Sequence, residues 1–149
     1  MNSLKAGGIL MLLASVTHIA IIFGGADWYR FFGAGEEMAL MQESGSYYPA
    51  VLTGFIALVL AIWSLYAFSG AGLMRRLPFI KPALATIAVI LLARGFLGIP
   101  VVLFSDNPYF AELGSNLAFI IVSSIICLAI GLCYGFGAYQ LYRSKSQGA

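Results

Sequence analysis

A chain of 149 residues that is 61% hydrophobic and only 9% charged lies far below the roughly 25% charged share of soluble domains. That excludes an ordinary soluble fold and leaves room for one domain. The formal net charge of +2 comes without a basic stripe, so nucleic-acid binding has no support.

Four apolar segments, near residues 6–23, 50–68, 82–104 and 116–142, are each about as long as the ~20 helical residues that cross a hydrocarbon core. The first carries Lys5 ahead of its apolar run, as a signal peptide would. Its run is longer than an h-region of about 7–15 residues, and Gly24-Gly25-Ala26 is a poor cleavage site, so a retained helix is expected. His18 lies 12 residues into this segment. Ala14 and Ser15 share its face, which is small and partly polar.

The stretch between segments one and two is not a plain linker. Asp27-Trp28-Tyr29-Arg30-Phe31-Phe32 places aromatic rings just past a helix end, where they collect at headgroup level. Glu36-Glu37-Met38-Ala39-Leu40-Met41-Gln42-Glu43 opens with two acids that a helix N-terminus favours. Met38, Leu40 and Met41 can share one face, so a short amphipathic helix lying on the membrane surface is expected. Tyr47-Tyr48-Pro49 then opens segment two, with proline tolerated in a first turn.

Segment two ends at Ser69-Gly70-Ala71-Gly72, and a short loop with Arg75, Arg76 and Lys81 follows. Segment three holds Arg94, 12 residues from its start, and Pro100. Proline cannot donate to the carbonyl of Phe96, and Gly95 and Gly98 leave backbone open beside Arg94. Ser105-Asp106-Asn107-Pro108 reads as a turn, Tyr109 and Phe110 as interfacial residues, and Ser115 as an N-cap for segment four. Asn116, Ser123 and Ser124 supply polar groups there, read as interhelical bonds. Cys127 and Cys133 are six apart on one helix and read as packing thiols, with no disulfide or metal site.

The charges sort by side. Lys5, Arg75, Arg76, Lys81, Arg143 and Lys145 fall on one, and Asp27, Glu36, Glu37, Glu43, Asp106 and Glu112 on the other. Short Lys/Arg-rich loops stay in the cytoplasm, so both termini and the 70–81 loop are expected inside. The expected fold is an all-α membrane protein, a four-transmembrane-helix up-down bundle, with the amphipathic helix in its first periplasmic loop.

An arginine in mid-span costs at least ~2.5–3.5 kcal/mol on insertion scales. Arg94 must therefore be an internal structural pair or an anion site. His18, at the expected depth of Arg94, reads as a hydrogen-bonding strut, a ligand contact or a proton-transfer group. Glu36 and Glu37, if the surface helix folds over the bundle mouth, are the expected counter-charges of Arg94; otherwise they form a solvated rim. Gly131 and Gly135 form a GxxxG pair suited to packing within the chain or to a homodimer. No catalytic motif, metal set or cofactor signature is present in the sequence.

The stretch from Gly24 to Ala39, with Tyr48-Pro49 and Arg94-Gly95, resembles a group of small inner-membrane proteins of Gram-negative bacteria. That resemblance implies the bacterial inner membrane and brings no activity with it. The four-helix layout is similar to DoxX-like proteins in topology only, which confers no function. The best expectation is a periplasm-facing intramembrane pocket, lined by Arg94 and His18 and covered by Trp28, Glu36 and Glu37. It would bind or transport a small or lipid-like ligand with an anionic group. A non-catalytic accessory subunit is the alternative, and an enzyme using His18 as acid–base has least support.

Overall fold

The computed structural model describes residues 2–104 and 117–146. Among them six helices and no strands occur: α1 (Asn2–Gly24), α2 (Ala26–Phe31), α3 (Glu36–Glu43), α4 (Tyr48–Gly70), α5 (Ile80–Phe104) and α6 (Leu117–Ser146). α1, α4, α5 and α6 are long and apolar enough to cross a membrane. They form an up-down bundle, and the chain has the build of a multi-pass membrane protein. The helices outrun the expected spans: α1 begins at Asn2, α4 covers Tyr48–Gly70 and α6 runs to Ser146. Apolar runs mark what sits in lipid, whereas helical hydrogen bonding continues into the flanking polar turns. The turn at 105–108, Tyr109, Phe110, Ser115 and Asn116 lie outside the described residues.

α1 pairs closely with α4, and α5 with α6, while α1 against α6 joins the two pairs. Small residues permit both close pairings. On α1, Gly8 lies under Phe68 and Ala67 of α4. The Ser64 hydroxyl donates to the Gly8 carbonyl at 2.9 Å, and Ser15 donates to the Ala57 carbonyl at 2.7 Å. These bonds satisfy hydroxyls that lipid cannot. On the other pair, a Cβ at Gly95 would stand 2.6 Å from Leu128 Cγ, and one at Gly131 3.0 Å from Leu92 Cγ. Gly135 faces Ala88. The Gly131/Gly135 face is thus filled by α5 of the same chain.

The end of the bundle that carries both termini is tightly filled. Leu4, Met11, Ala67, Leu84, Ile87, Leu91, Ile130, Tyr134 and Ala138 form one buried cluster, with Leu60, Trp63 and Tyr66 packed against it. Leu4 lies against Gly137 and, with Leu84, against Gly70, so all four long helices meet here. The Tyr134 hydroxyl donates to the Trp63 carbonyl at 2.9 Å and ties α6 to α4. Ser69 pins the following loop, donating to the Arg75 carbonyl and accepting from the Leu77 N–H. Lys81 lies over the Tyr142 ring at 5.1 Å from its centroid.

The opposite, far end carries a small cap. α3 spans Glu36–Glu43 as the sequence predicts, but Trp28-Tyr29-Arg30, expected as an interfacial anchor, forms its own short helix α2. Gly25, Gly33 and Gly35 have φ of 71°, 67° and 96°, values open to glycine at little cost, and they break the chain into these two helices. Tyr29 is fully buried with Ile21 and Ala39, flanked by Phe32, Ala34 and Met38. Phe32 meets Phe119 of α6 edge-on at 6.4 Å, linking the cap to a third helix.

Candidate functional site

The helix stripes that build the core keep their heptad spacing into the far half and change character there. On α1, Leu4 and Met11 are each 1% exposed, and His18, next on that stripe, is half-buried. On α5, Ile87 is 4% exposed and Arg94, one heptad on, is exposed. On α4, Gly70 is buried and Trp63 packs on the core, but Ile56 is 38% exposed. On α6, Ile130 gives way to half-buried Cys127 and then to buried Ser124. The bundle is therefore closed by apolar packing at the termini end and carries polar groups on the same stripes beyond it.

Both polar groups are level with one turn of α6. Leu4 lies against Gly137 and Gly7 against Cys133 and Tyr134. Continuing this antiparallel register residue for residue puts His18 level with residue 123. On the other side, Gly131 meets Leu91 and Leu92, Gly95 meets Leu128, and Gly98 meets Ser124. Arg94 folds its guanidinium back along α5 to Gly98. A Cβ at Gly98 would collide with Arg94 Nη1 and stand 2.8 Å from Ser124 Oγ. The missing side chain at 98 is what lets guanidinium and hydroxyl share one niche.

Ser124 is 2% exposed, and its hydroxyl has no hydrogen-bond partner among the described residues. Ser123 donates to the Ile120 carbonyl of its own helix at 3.0 Å. The expectation that Ser123 and Ser124 bridge helices is thus corrected: one back-bonds within its own helix, the other has no partner. His18 Nδ1 lies 2.8 Å from the Ala14 carbonyl. A carbonyl only accepts, so Nδ1 carries the proton, and in the neutral ring Nε2 is left as an acceptor.

The expected pairing of Arg94 with Glu36 or Glu37 is also corrected. Arg30 takes Glu36 in a two-pronged contact, Nη2 to Oε1 at 2.6 Å and Nε to Oε2 at 2.8 Å. The same guanidinium reaches Glu43 at 2.7 Å and Asp27 at 3.5 Å. Glu37 is exposed. The two hydrogen bonds from Arg30 hold the Glu36 carboxyl below the usual carboxylate range, and those to Glu36 and Glu43 push Arg30 further up. Arg30 is only six residues from Glu36 and shares its surface unit, so it wins over a cation on a distant span. Among the described residues no carboxylate lies within 4 Å of Arg94.

Trp28 packs its ring on the backbone of Gly24, 5.7 Å from Phe32 between centroids, and is 43% exposed. It belongs to the cap. The residues that the structure brings together are thus Arg94, Gly98 and Ser124, with His18 at the same level on α1. Glu36 belongs to a separate ion cluster on the cap. Ser124 and Arg30 are the two residues whose roles the sequence reading missed. Among the described residues no three His, Cys, Asp or Glu side chains converge. The arrangement offers a fixed positive charge beside a buried hydroxyl that has no partner among the described residues.

Fold and site together define a helical membrane bundle with a polar far half. Compared with protein-family models, curated proteins and solved structures, the chain matches none.

Proposed function

We propose that this chain is a membrane-embedded binding protein whose ligand places an anionic group on Arg94. The observation that carries the reading is the state of Arg94 itself. It lies on the core stripe of a spanning helix, is exposed, and has no carboxylate near it among the described residues. A guanidinium in a low-dielectric setting is costly, and an anion at the Gly98 niche would offset that cost. Ser124 supports the reading, because its buried hydroxyl has no partner among the described residues and adjoins the guanidinium. Lys5, Arg75, Arg76, Lys81 and Arg143 belong to the termini end. By the positive-inside tendency the far half then faces the periplasm of a bacterial inner membrane.

Native mass spectrometry of gently extracted protein tests this. The wild type is expected to retain a non-covalent adduct that Arg94→Gln loses while keeping its helical content and melting temperature in detergent. An adduct retained undiminished by Arg94→Gln, or absent from both, rejects the binding role. A second membrane protein that co-purifies stoichiometrically only when Arg94 is present would assign the residue to an accessory-subunit interface instead.

A further inference from the structure

We infer that the ligand is a phosphate-bearing membrane lipid that reaches Arg94 sideways, between α4 and α5. This rests on the binding role proposed above and goes on to fix the ligand's class and route.

The route follows from how the helices pair. α1 with α4 is held by small residues and the buried hydroxyls of Ser15 and Ser64, and α5 with α6 by small residues. α4 and α5 meet where Gly70 receives Leu84, at the termini end. α4 and α5 touch much less than either tight pair, and ten to eighteen residues further on Ile56 and Leu52 of α4 and Arg94 and Val101 of α5 are exposed. The axial approach from the far end is different. There the cap sits on Ile21 of α1 through Tyr29 and on Phe119 of α6 through Phe32. The side that remains open among the described residues is the one that faces lipid.

The class follows from the walls and the head site. The uncovered residues flanking Arg94 are apolar, so they give nothing to a small hydrated anion but accept an acyl chain as readily as the surrounding lipid does. The head site combines a guanidinium fork with one hydroxyl, and among the described residues no acid lies within ion-pair distance of it. A phosphodiester presents two unesterified oxygens in the geometry a guanidinium takes two-pronged, and its remaining oxygens can accept from Ser124. Depth is consistent with uptake into the bundle. Gly98 lies six residues below Phe104, the last residue of α5, or about 9 Å at 1.5 Å per residue. A phosphate at this niche is drawn well beneath the helix end, unlike one in the surrounding headgroup layer.

The chain has two tryptophans, and Trp63, one heptad from Ile56 on α4, packs against the buried core. In a Trp28→Phe background, Trp63 fluorescence in nanodiscs reports on brominated acyl chains nearby. Brominated phosphatidylglycerol is expected to quench Trp63 with an enrichment on the order of tenfold over a brominated galactosyl diacylglycerol, whose headgroup carries no phosphate, the size of one charge-assisted hydrogen bond. Arg94→Gln should abolish that preference. The pair Ile56→Phe with Val101→Phe should also abolish it by narrowing the route between α4 and α5, and because both sites are exposed this variant keeps the fold. Inorganic phosphate, added from both sides up to tens of millimolar, gives the second arm. If it raises the melting temperature in an Arg94-dependent way while neither lipid is preferred, the anion site stands and the lipid inference falls. If neither phosphate nor lipid responds to Arg94, both readings fall. Equal quenching by the two lipids in wild type and Arg94→Gln overturns the lipid inference outright.

Discussion

Two neighbouring glycines on α5 separate the site from the packing that carries it. Alanine in a helix interior is favoured over glycine by about 0.5–1 kcal/mol, so either Gly→Ala substitution starts with that gain. At Gly98 the new methyl collides with Arg94 Nη1 and approaches Ser124 Oγ to 2.8 Å. Both are side-chain ends that rotate away, so the helices need not part. At Gly95 the methyl would stand 2.6 Å and 2.7 Å from two carbons of Leu128 and 3.1 Å from the Ser124 backbone oxygen. Backbone cannot yield there, and α5 must separate from α6. Overpacking of this kind costs about 1–3 kcal/mol, more than the propensity gain. Gly98→Ala should therefore leave stability within about 1 kcal/mol of wild type, and Gly95→Ala should lower it. The order reverses for binding. Moving the guanidinium out of its niche removes one charge-assisted hydrogen bond or more, about 1.5–3 kcal/mol, or at least tenfold in affinity. Reversible unfolding in mixed detergent gives the first comparison and adduct occupancy by native mass spectrometry the second. If Gly98→Ala destabilises as much as Gly95→Ala, or keeps full occupancy, the niche is not where the ligand binds.

Four further outcomes are expected. The cap should loosen at acid pH. The Glu36 carboxyl is held low by Arg30, so its contribution is full above the ordinary carboxylate value and is lost as pH falls through the depressed one. Hydrogen exchange in α3 should speed up over that range, and Arg30→Gln should make it fast at every pH. Ser64→Ala should destabilise the α1–α4 pair by about 0.6–1 kcal/mol, typical of interhelical bonds in membranes, and a variant as stable as wild type would mean the bond to the Gly8 carbonyl adds nothing. Gly131→Ala should disturb the bundle more than Gly135→Ala, because a Cβ meets Leu92 at 3.0 Å at the first site and only Ala88 at 3.7 Å at the second; paired unfolding curves check the ranking. Reporter fusions within 70–81 should read cytoplasmic and those within 33–46 periplasmic, and the opposite result would invert the assigned orientation.

Much of the architecture was legible because the solvent imposes it. A hydrocarbon core requires long apolar helices, so segment number and the α3 span at Glu36–Glu43 could be read from hydropathy and acid placement. The small residues of α1 and α6 could be read as close-packing sites, but the choice between an internal and an external neighbour could not. Leu91, Leu92 and Ala88 occupy the Gly131/Gly135 face, and nothing in the spacing of those glycines names the helix that arrives. Local sequence also misled at the cap. Mid-span Arg94 drew attention as a cation in need of an acid, while Arg30, a few residues from three carboxylates, was the nearer answer for Glu36 and Glu43. Short loop closure makes such a cluster cheap in entropy, whereas bringing Glu36 to Arg94 would require the cap to reach down into the bundle.

Ser124 shows why a site of this kind is hard to read from one helix at a time. In sequence it is one of two adjacent serines in an apolar run, and either could serve as an interhelical bond. Its meaning depends on the α5–α6 register, in which a glycine at 98 arrives opposite it and the guanidinium of residue 94 folds into the vacancy. Shifting α6 by one residue would put Ser123 there instead, but Ser123 already donates to the Ile120 carbonyl and would offer a less available proton. The α5–α6 register is set by the adjoining apolar packing, Gly131 against Leu91 and Leu92 and Gly95 against Leu128. That packing thus fixes which hydroxyl meets Arg94. A substitution such as Gly131→Leu should accordingly impair binding at Arg94 even where the bundle still folds. Full adduct occupancy in a folded Gly131→Leu variant would show that the niche assembles without that register.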